Sequence, residues 1–92
     1  ALITPWNFPS AIPAWKLAPA LICGNTVVMK PASAAPLSSW RIVEACHDAG
    51  IPPGVVNYVA GGGGALGAAL VNAAPVKAIS FTGSFGAGLK FH

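Results

Sequence analysis

The chain has 92 residues, of which 54% are hydrophobic and only 8% charged, with a formal net charge of +3. A soluble domain carries roughly 25% charged residues, and a chain of this size has too little interior to hide so much apolar surface, so burial against further parts of a larger protein is expected. The five basic residues are scattered without a basic cluster or interleaved aromatics, which argues against a nucleic-acid partner, and the longest apolar stretch, residues 11–23, contains Lys16, Pro13 and Pro19 and is too short to span a bilayer.

Four short β-rich runs punctuate the chain: residues 1–4, 26–30, 55–59 and 78–81. Three of them are almost uniformly apolar, which is the pattern of strands covered on both faces in a parallel sheet. Helices are expected between them. Residues 10–22 are apolar nearly all round; Pro13 suits a first turn, Pro19 is expected to kink the helix or shift its start, and Gly24 to stop it. Residues 36–49 form the clearest helix, with Pro36 at the first position and Gly50 after the end. The 3.6 period puts Ile42, Val43, Cys46 and Ala49 on one face, and Arg41, Glu44 and Asp48 on the other. A shorter helix is expected over residues 65–74, with Leu66, Leu70 and Ala73 as its apolar stripe, and another from Phe85 onward. The order β-α-β-α-β-α-β-α predicts an α/β fold built on a parallel sheet. The chain starts at Ala1 without Met and stops within the last helix, so both ends read as cuts in a longer protein. Cys23 and Cys46 have no metal-ligand spacing and are expected to be buried free thiols; no metal site is expected.

Ligands of open parallel sheets bind outside the C-terminal ends of the strands. The four exits here are Thr4-Pro5-Trp6-Asn7, Lys30-Pro31-Ala32-Ser33, Gly61-Gly62-Gly63-Gly64 and Thr82-Gly83-Ser84, where most of the unusual polar, Gly and Trp residues gather. The glycine run precedes a helix that carries Gly67. It is either a flexible turn or a cradle in which free N–H groups meet an anion such as pyrophosphate. Its Gly61-x-Gly63-x-x-x-Gly67 spacing is one residue longer than the usual dinucleotide fingerprint. Ser84 is either an N-cap or a hydroxyl for a phosphate. Lys30 either snorkels to the surface or holds a ribose hydroxyl or phosphate in the crevice. Asn7, between Pro5 and Pro9, is either an Asx turn or a positioned amide for an oxyanion.

Four segments in order, Pro5-Trp6-Asn7-Phe8-Pro9, Gly24-Asn25-Thr26-Val27-Val28-Met29-Lys30-Pro31-Ala32, Gly50-Ile51-Pro52-Pro53-Gly54-Val55-Val56-Asn57 and Phe81-Thr82-Gly83-Ser84, resemble successive motifs of the NAD(P)-dependent aldehyde dehydrogenase superfamily. The resemblance covers essentially the whole chain. It implies a Rossmann-like parallel sheet within the aldehyde dehydrogenase fold, residues 1–92 being a fragment of the NAD(P)-binding domain without the catalytic domain. By it, Asn7 matches the oxyanion-hole asparagine. Ile3, Thr4, Pro5 and Trp6 match residues lining the cofactor crevice, and Lys30 matches the lysine on the adenosine ribose. Gly63 and Gly67 match the cofactor loop and helix; Gly83 and Ser84 match the turn that receives the pyrophosphate, with Gly88 closing that motif.

Two departures stand out. Many NAD-preferring members carry Glu three positions after the lysine, where this chain has Ser33. A serine does not repel a 2′-phosphate as a carboxylate does, so NADP is expected to be accepted and is preferred in this reading, NAD being the other cofactor. Where the family often has Thr-Glu after Ser84, this chain has Phe85-Gly86. The family's nucleophilic cysteine and general-base glutamate lie downstream of His92, so the segment alone is expected to be inactive. The implied reaction is oxidation of an aldehyde to an acid, by a cytoplasmic enzyme that forms a homodimer or homotetramer. The alternatives are a nucleotide-binding module without turnover and an acylating or acyl-phosphate semialdehyde dehydrogenase relative. Glu44, His47 and His92 are expected to be ordinary surface groups.

Overall fold

In the computed structural model, residues 1–91 are described. Four strands, β1 (Leu2–Ile3), β2 (Val27–Lys30), β3 (Val56–Tyr58) and β4 (Ser80–Phe81), alternate with helices α1 (Ala11–Ile22), α2 (Pro36–Asp48), α3 (Gly63–Asn72) and α4 (Phe85–Gly88), and a 3-10 turn follows over Leu89–Phe91. All strand pairs are parallel, in the order β3-β2-β1-β4. The chain therefore winds outward from β1 to β2 and β3, then returns across the sheet to lay β4 on the other side of β1. That reversal creates a topological switch point between β1 and β4, the place where open α/β sheets bind ligands.

The helix stops are local and work as the sequence implies. Gly24 and Gly50 adopt φ of +82° and +89°. At each, two N–H groups fold back on the last turn: Gly24 to Leu21 and Asn25 to Ala20, then Gly50 to His47 and Ile51 to Cys46. This double bond pattern satisfies helix carbonyls that otherwise face no donor. Pro36 starts α2 as expected. Pro19, by contrast, neither ends α1 nor shifts its start: the helix continues through it to Ile22. The N–H that Pro19 lacks would have bonded the Trp15 carbonyl, and both residues are exposed. The third helix begins two residues earlier than the apolar stripe predicts, on Gly63, because the backbone of Gly63 and Gly64 turns helical ahead of Leu66.

Leu2, Leu17, Val27 and Met29 form the buried core, with Ala20, Leu21, Ile42, Val43, Cys46, Val56 and Tyr58 packed on it. Each fully buried large apolar side chain contributes roughly 1.5–3 kcal/mol, so Met29 and Leu17 anchor α1 and β2 together. Ser39 is fully buried despite its hydroxyl because that group donates to the Pro36 carbonyl at 3.1 Å; the Tyr58 hydroxyl reaches the same oxygen at 2.6 Å. Arg41 and Glu44 pair across the outer face of α2 at 2.8 Å. Burial on both sheet faces is confined to the central strands. β1 and β2 are largely buried, whereas β3 is half-exposed and Ser80 of β4 is exposed. Cys23 is exposed and Cys46 half-buried, which corrects the expectation of two buried thiols: Cys23 caps the C-terminus of α1, outside the core. Among the described residues no helix is long and apolar enough to cross a membrane. The expectation for His92 lies outside the described residues.

Candidate functional site: a cation-lined cleft at the switch point

A cleft of about 740 Å³ opens at the C-terminal ends of β1, β2 and β4, against the start of α3. Small-molecule sites span ~300–1,000 Å³. The register explains the convergence. Ile3 pairs with Lys30 on one side and Phe81 on the other, so these three strands end at one level. The bonds from Thr4 N–H to the Lys30 carbonyl (3.3 Å) and from Thr82 N–H to the Ile3 carbonyl (3.0 Å) carry the alignment past the last strand residues.

Nine of the sequence-nominated residues line this cleft: Ile3, Thr4, Pro5, Trp6, Asn7, Lys30, Gly63, Gly83 and Ser84. Three do not. Gly67 is buried on the inner face of α3, where a Cβ would meet the Phe91 ring at 3.0 Å. Gly88 lies beneath Phe81, which a Cβ would meet at 3.1 Å. Ser33 stands on the loop after β2 and donates its hydroxyl to the Gly61 carbonyl at 3.0 Å.

Lys30 ends the apolar strand β2 and is only 4% exposed. Its ammonium donates to the Pro31 carbonyl at 2.9 Å, and burial holds its pKa below the ordinary lysine value. Thr4 is equally buried, yet its hydroxyl oxygen has no hydrogen-bond partner among the described residues. An unsatisfied buried polar group costs about 1–3 kcal/mol, so a ligand that bonds it in the cleft gains what the protein leaves unmade. Ser84 Oγ accepts from the Ala87 N–H at 3.3 Å, capping α4; the hydroxyl proton stays available to an outside acceptor. The start of α3 has no side-chain cap, and Gly63 and Gly64 present their backbone to the cleft. Asn7 is exposed at the rim. Beside it Phe8 takes φ +50°, a left-handed backbone that costs a non-glycine residue about 1–2 kcal/mol. This strained turn lies between Pro5 and Pro9.

Sequence reasoning missed Phe81, Phe91 and Lys90, which also line the cleft. Phe81 reads as an ordinary strand residue, and only packing reveals that its ring covers Gly83 and Gly88 and lies against Phe91, with centroids 5.1 Å apart. Lys90 joins Lys30 in the lining, and among the described residues no carboxylate lines the cleft. Two cations, uncapped helix N–H groups and an orphaned hydroxyl, with no opposing acid, suit a polyanionic ligand with hydroxyl groups. A dinucleotide has that chemistry.

Residues 1–92 match the family model for the aldehyde dehydrogenase family. The chain is 52% identical over its full length to 2,5-dioxopentanoate dehydrogenase of Saccharolobus solfataricus, covering 19% of that protein. It is 56% identical over 84 residues, 91% of this chain, to alpha-ketoglutarate semialdehyde dehydrogenase of Haloferax volcanii, covering 17% of it. The fold superposes on the crystal structure of betaine aldehyde dehydrogenase from Staphylococcus aureus in complex with NAD+ with a TM-score of 0.94 and 38% identity, over 98% of this chain and 18% of that one. The chain thus spans about a fifth of the length of the relatives it matches. A parallel α/β sheet with its cleft at the switch point and a family match across every residue lead to one conclusion: the chain belongs to the aldehyde dehydrogenase family.

Proposed function

We propose that this segment forms part of the NAD(P)-binding domain of an enzyme that oxidises an aldehyde to a carboxylic acid, and that it supplies the cofactor cleft and one catalytic amide. The observation that carries the reading is the acid-free cleft at the switch point, where Lys30, Lys90 and the bare start of α3 meet. When bound, the cofactor supplies the hydride acceptor. The chain's own residues hold it. Lys30 would hold the adenosine ribose or its 2′-phosphate, the Gly63 and Gly64 amides and the Ser84 hydroxyl would hold the pyrophosphate, and Ile3, Thr4, Pro5 and Trp6 would line the path between. The cofactor would offer the Thr4 hydroxyl a partner there. With Ser33 in place of a carboxylate near Lys30, nothing repels a 2′-phosphate, and we read the site as open to NADP as well as NAD.

Asn7 donates its amide N–H to the oxyanion that forms when the nucleophilic cysteine, carried outside this segment, attacks the aldehyde. The relatives named above act on aldehydes by their names, which supports this substrate class. Steady-state kinetics of the full-length protein with an aldehyde panel, with NAD and NADP, test the reading. Asn7→Ala is expected to lower kcat about 10²–10³-fold, the loss of one oxyanion donor, while titration calorimetry finds cofactor affinity unchanged. A kcat within twofold of wild type refutes the role of Asn7, and failure of both cofactors to bind refutes the cleft.

A further inference from the structure

The loop after β2 and the glycine turn after β3 are joined by a single side chain, Ser33, whose hydroxyl donates to the Gly61 carbonyl at 3.0 Å. Gly61 has φ +153°, and a Cβ there would stand 2.8 Å from Leu66 Cδ1, so this turn is packed tightly on the first turn of α3. Two residues further on, Gly63 lines the cleft; three residues before Ser33, Lys30 does. On its own side, Ser33 sits in a tight turn closed by the Ala35 N–H on the Ala32 carbonyl at 3.1 Å. The Ser33–Gly61 bond therefore spans the two elements that carry Lys30 and Gly63.

We propose that Ser33 is a positioning residue: it clasps the Lys30 loop to the glycine turn and so fixes the spacing between the ribose-binding lysine and the start of α3. The proposal rests on the cofactor reading above. A serine hydroxyl has one proton. Once donated to Gly61, it leaves only lone pairs for any other group, so a 2′-phosphate must draw its donors from Lys30. An ionised carboxylate has no proton to donate and would meet the Gly61 carbonyl oxygen to oxygen. The clasp and a glutamate at this position are thus mutually exclusive. In this chain Ser33→Glu does not simply trade NADP for NAD; it unfastens the glycine turn.

Hydrogen exchange on the full-length protein without cofactor tests the clasp, with NAD+ and NADP+ dissociation constants measured by calorimetry on the same samples. The readout is exchange at the Leu66 and Gly67 amides; the Leu66 N–H bonds the Gly62 carbonyl. Ser33→Ala and Ser33→Glu are expected to speed this exchange by about two- to fivefold, the scale of one exposed hydrogen bond, and leave β1 and β2 unchanged. In Ser33→Ala both cofactors weaken by a similar factor, in Ser33→Glu the carboxylate adds a further loss for NADP+, and Ser33→Thr, which keeps the hydroxyl, restores exchange and affinity. Unchanged exchange in Ser33→Ala overturns the clasp. So does a loss confined to NADP+ in Ser33→Ala, because the hydroxyl then acts on the 2′-phosphate directly, and so does tighter NAD+ binding by Ser33→Glu. If the wild type binds neither cofactor, the cofactor reading fails, while the exchange comparison still decides the clasp.

Discussion

Gly83→Ala puts one methyl group into the most crowded glycine position of the cleft. An ideal Cβ at Gly83 would lie 2.7 Å from Phe81 Cζ, with two further ring carbons at 3.2 and 3.4 Å. Ordinary carbon contacts lie near 3.5–4.0 Å, so the ring must retreat by about 1 Å. Its neighbours restrict the retreat: Phe91 lies at 5.1 Å between centroids, and a Cβ on Gly88 would meet the same ring at 3.1 Å. The open side is the cleft that Phe81 lines. Overpacking of this kind costs about 1–3 kcal/mol, and a ring displaced into the cleft is expected to weaken cofactor binding by about tenfold for each 1.4 kcal/mol lost. Gly86→Ala is the control, since a Cβ there meets nothing within 4 Å. Urea denaturation and cofactor calorimetry of the two variants in the full-length protein measure the difference, and Phe81→Leu in the Gly83→Ala background restores part of the loss. If Gly83→Ala matches Gly86→Ala in both stability and affinity, the ring does not constrain that turn and the steric argument fails.

Substitutions at two further positions probe the charge and the caps. Burial lowers the Lys30 pKa from its ordinary 10.5, so the folded chain holds this proton less tightly than the unfolded one. The charged group costs stability at every pH below its lowered value, and stability rises as pH climbs from there to 10.5. Lys30→Met is therefore expected to raise the denaturation midpoint at neutral pH and flatten the alkaline rise, apart from the share of Lys16, whose pKa burial also lowers. Calorimetry should find cofactor affinity at least tenfold weaker, as for loss of a charge-assisted bond; an unchanged midpoint with an unchanged slope would remove the desolvation argument. Gly50→Ala places a side chain at φ +89° with open space around it, so its cost is backbone strain alone, about 1–2 kcal/mol. Gly50→Asn should recover part of it in urea titration, and equal stability for all three residues would contradict the strain assignment.

The sequence by itself determined whatever depends on neighbours along the chain. Gly24 and Gly50 stop helices because only a residue without a side chain turns left-handed there freely, and Pro36 starts one because its missing N–H is not needed. The βα alternation implied a parallel sheet, and the polar and glycine residues at the strand exits marked Asn7, Lys30, Gly63 and Ser84. Packing between distant segments decided the rest. The order β3-β2-β1-β4 depends on which strand edge each helix returns to, and it makes β1 and β4 neighbours although they lie far apart in sequence. That adjacency brings Thr4 and Ser84 to one cleft, and the fold lays Phe81 over Gly83. Pro19 stays within α1, on an exposed part of the helix, and α3 begins on Gly63 rather than at its apolar stripe. Ser33 shows the division most sharply. Its identity in the sequence says that no carboxylate occupies the third position after Lys30, but its bond to Gly61 spans 28 positions, and no local pattern encodes a contact that exists only once two loops have been set side by side by the sheet.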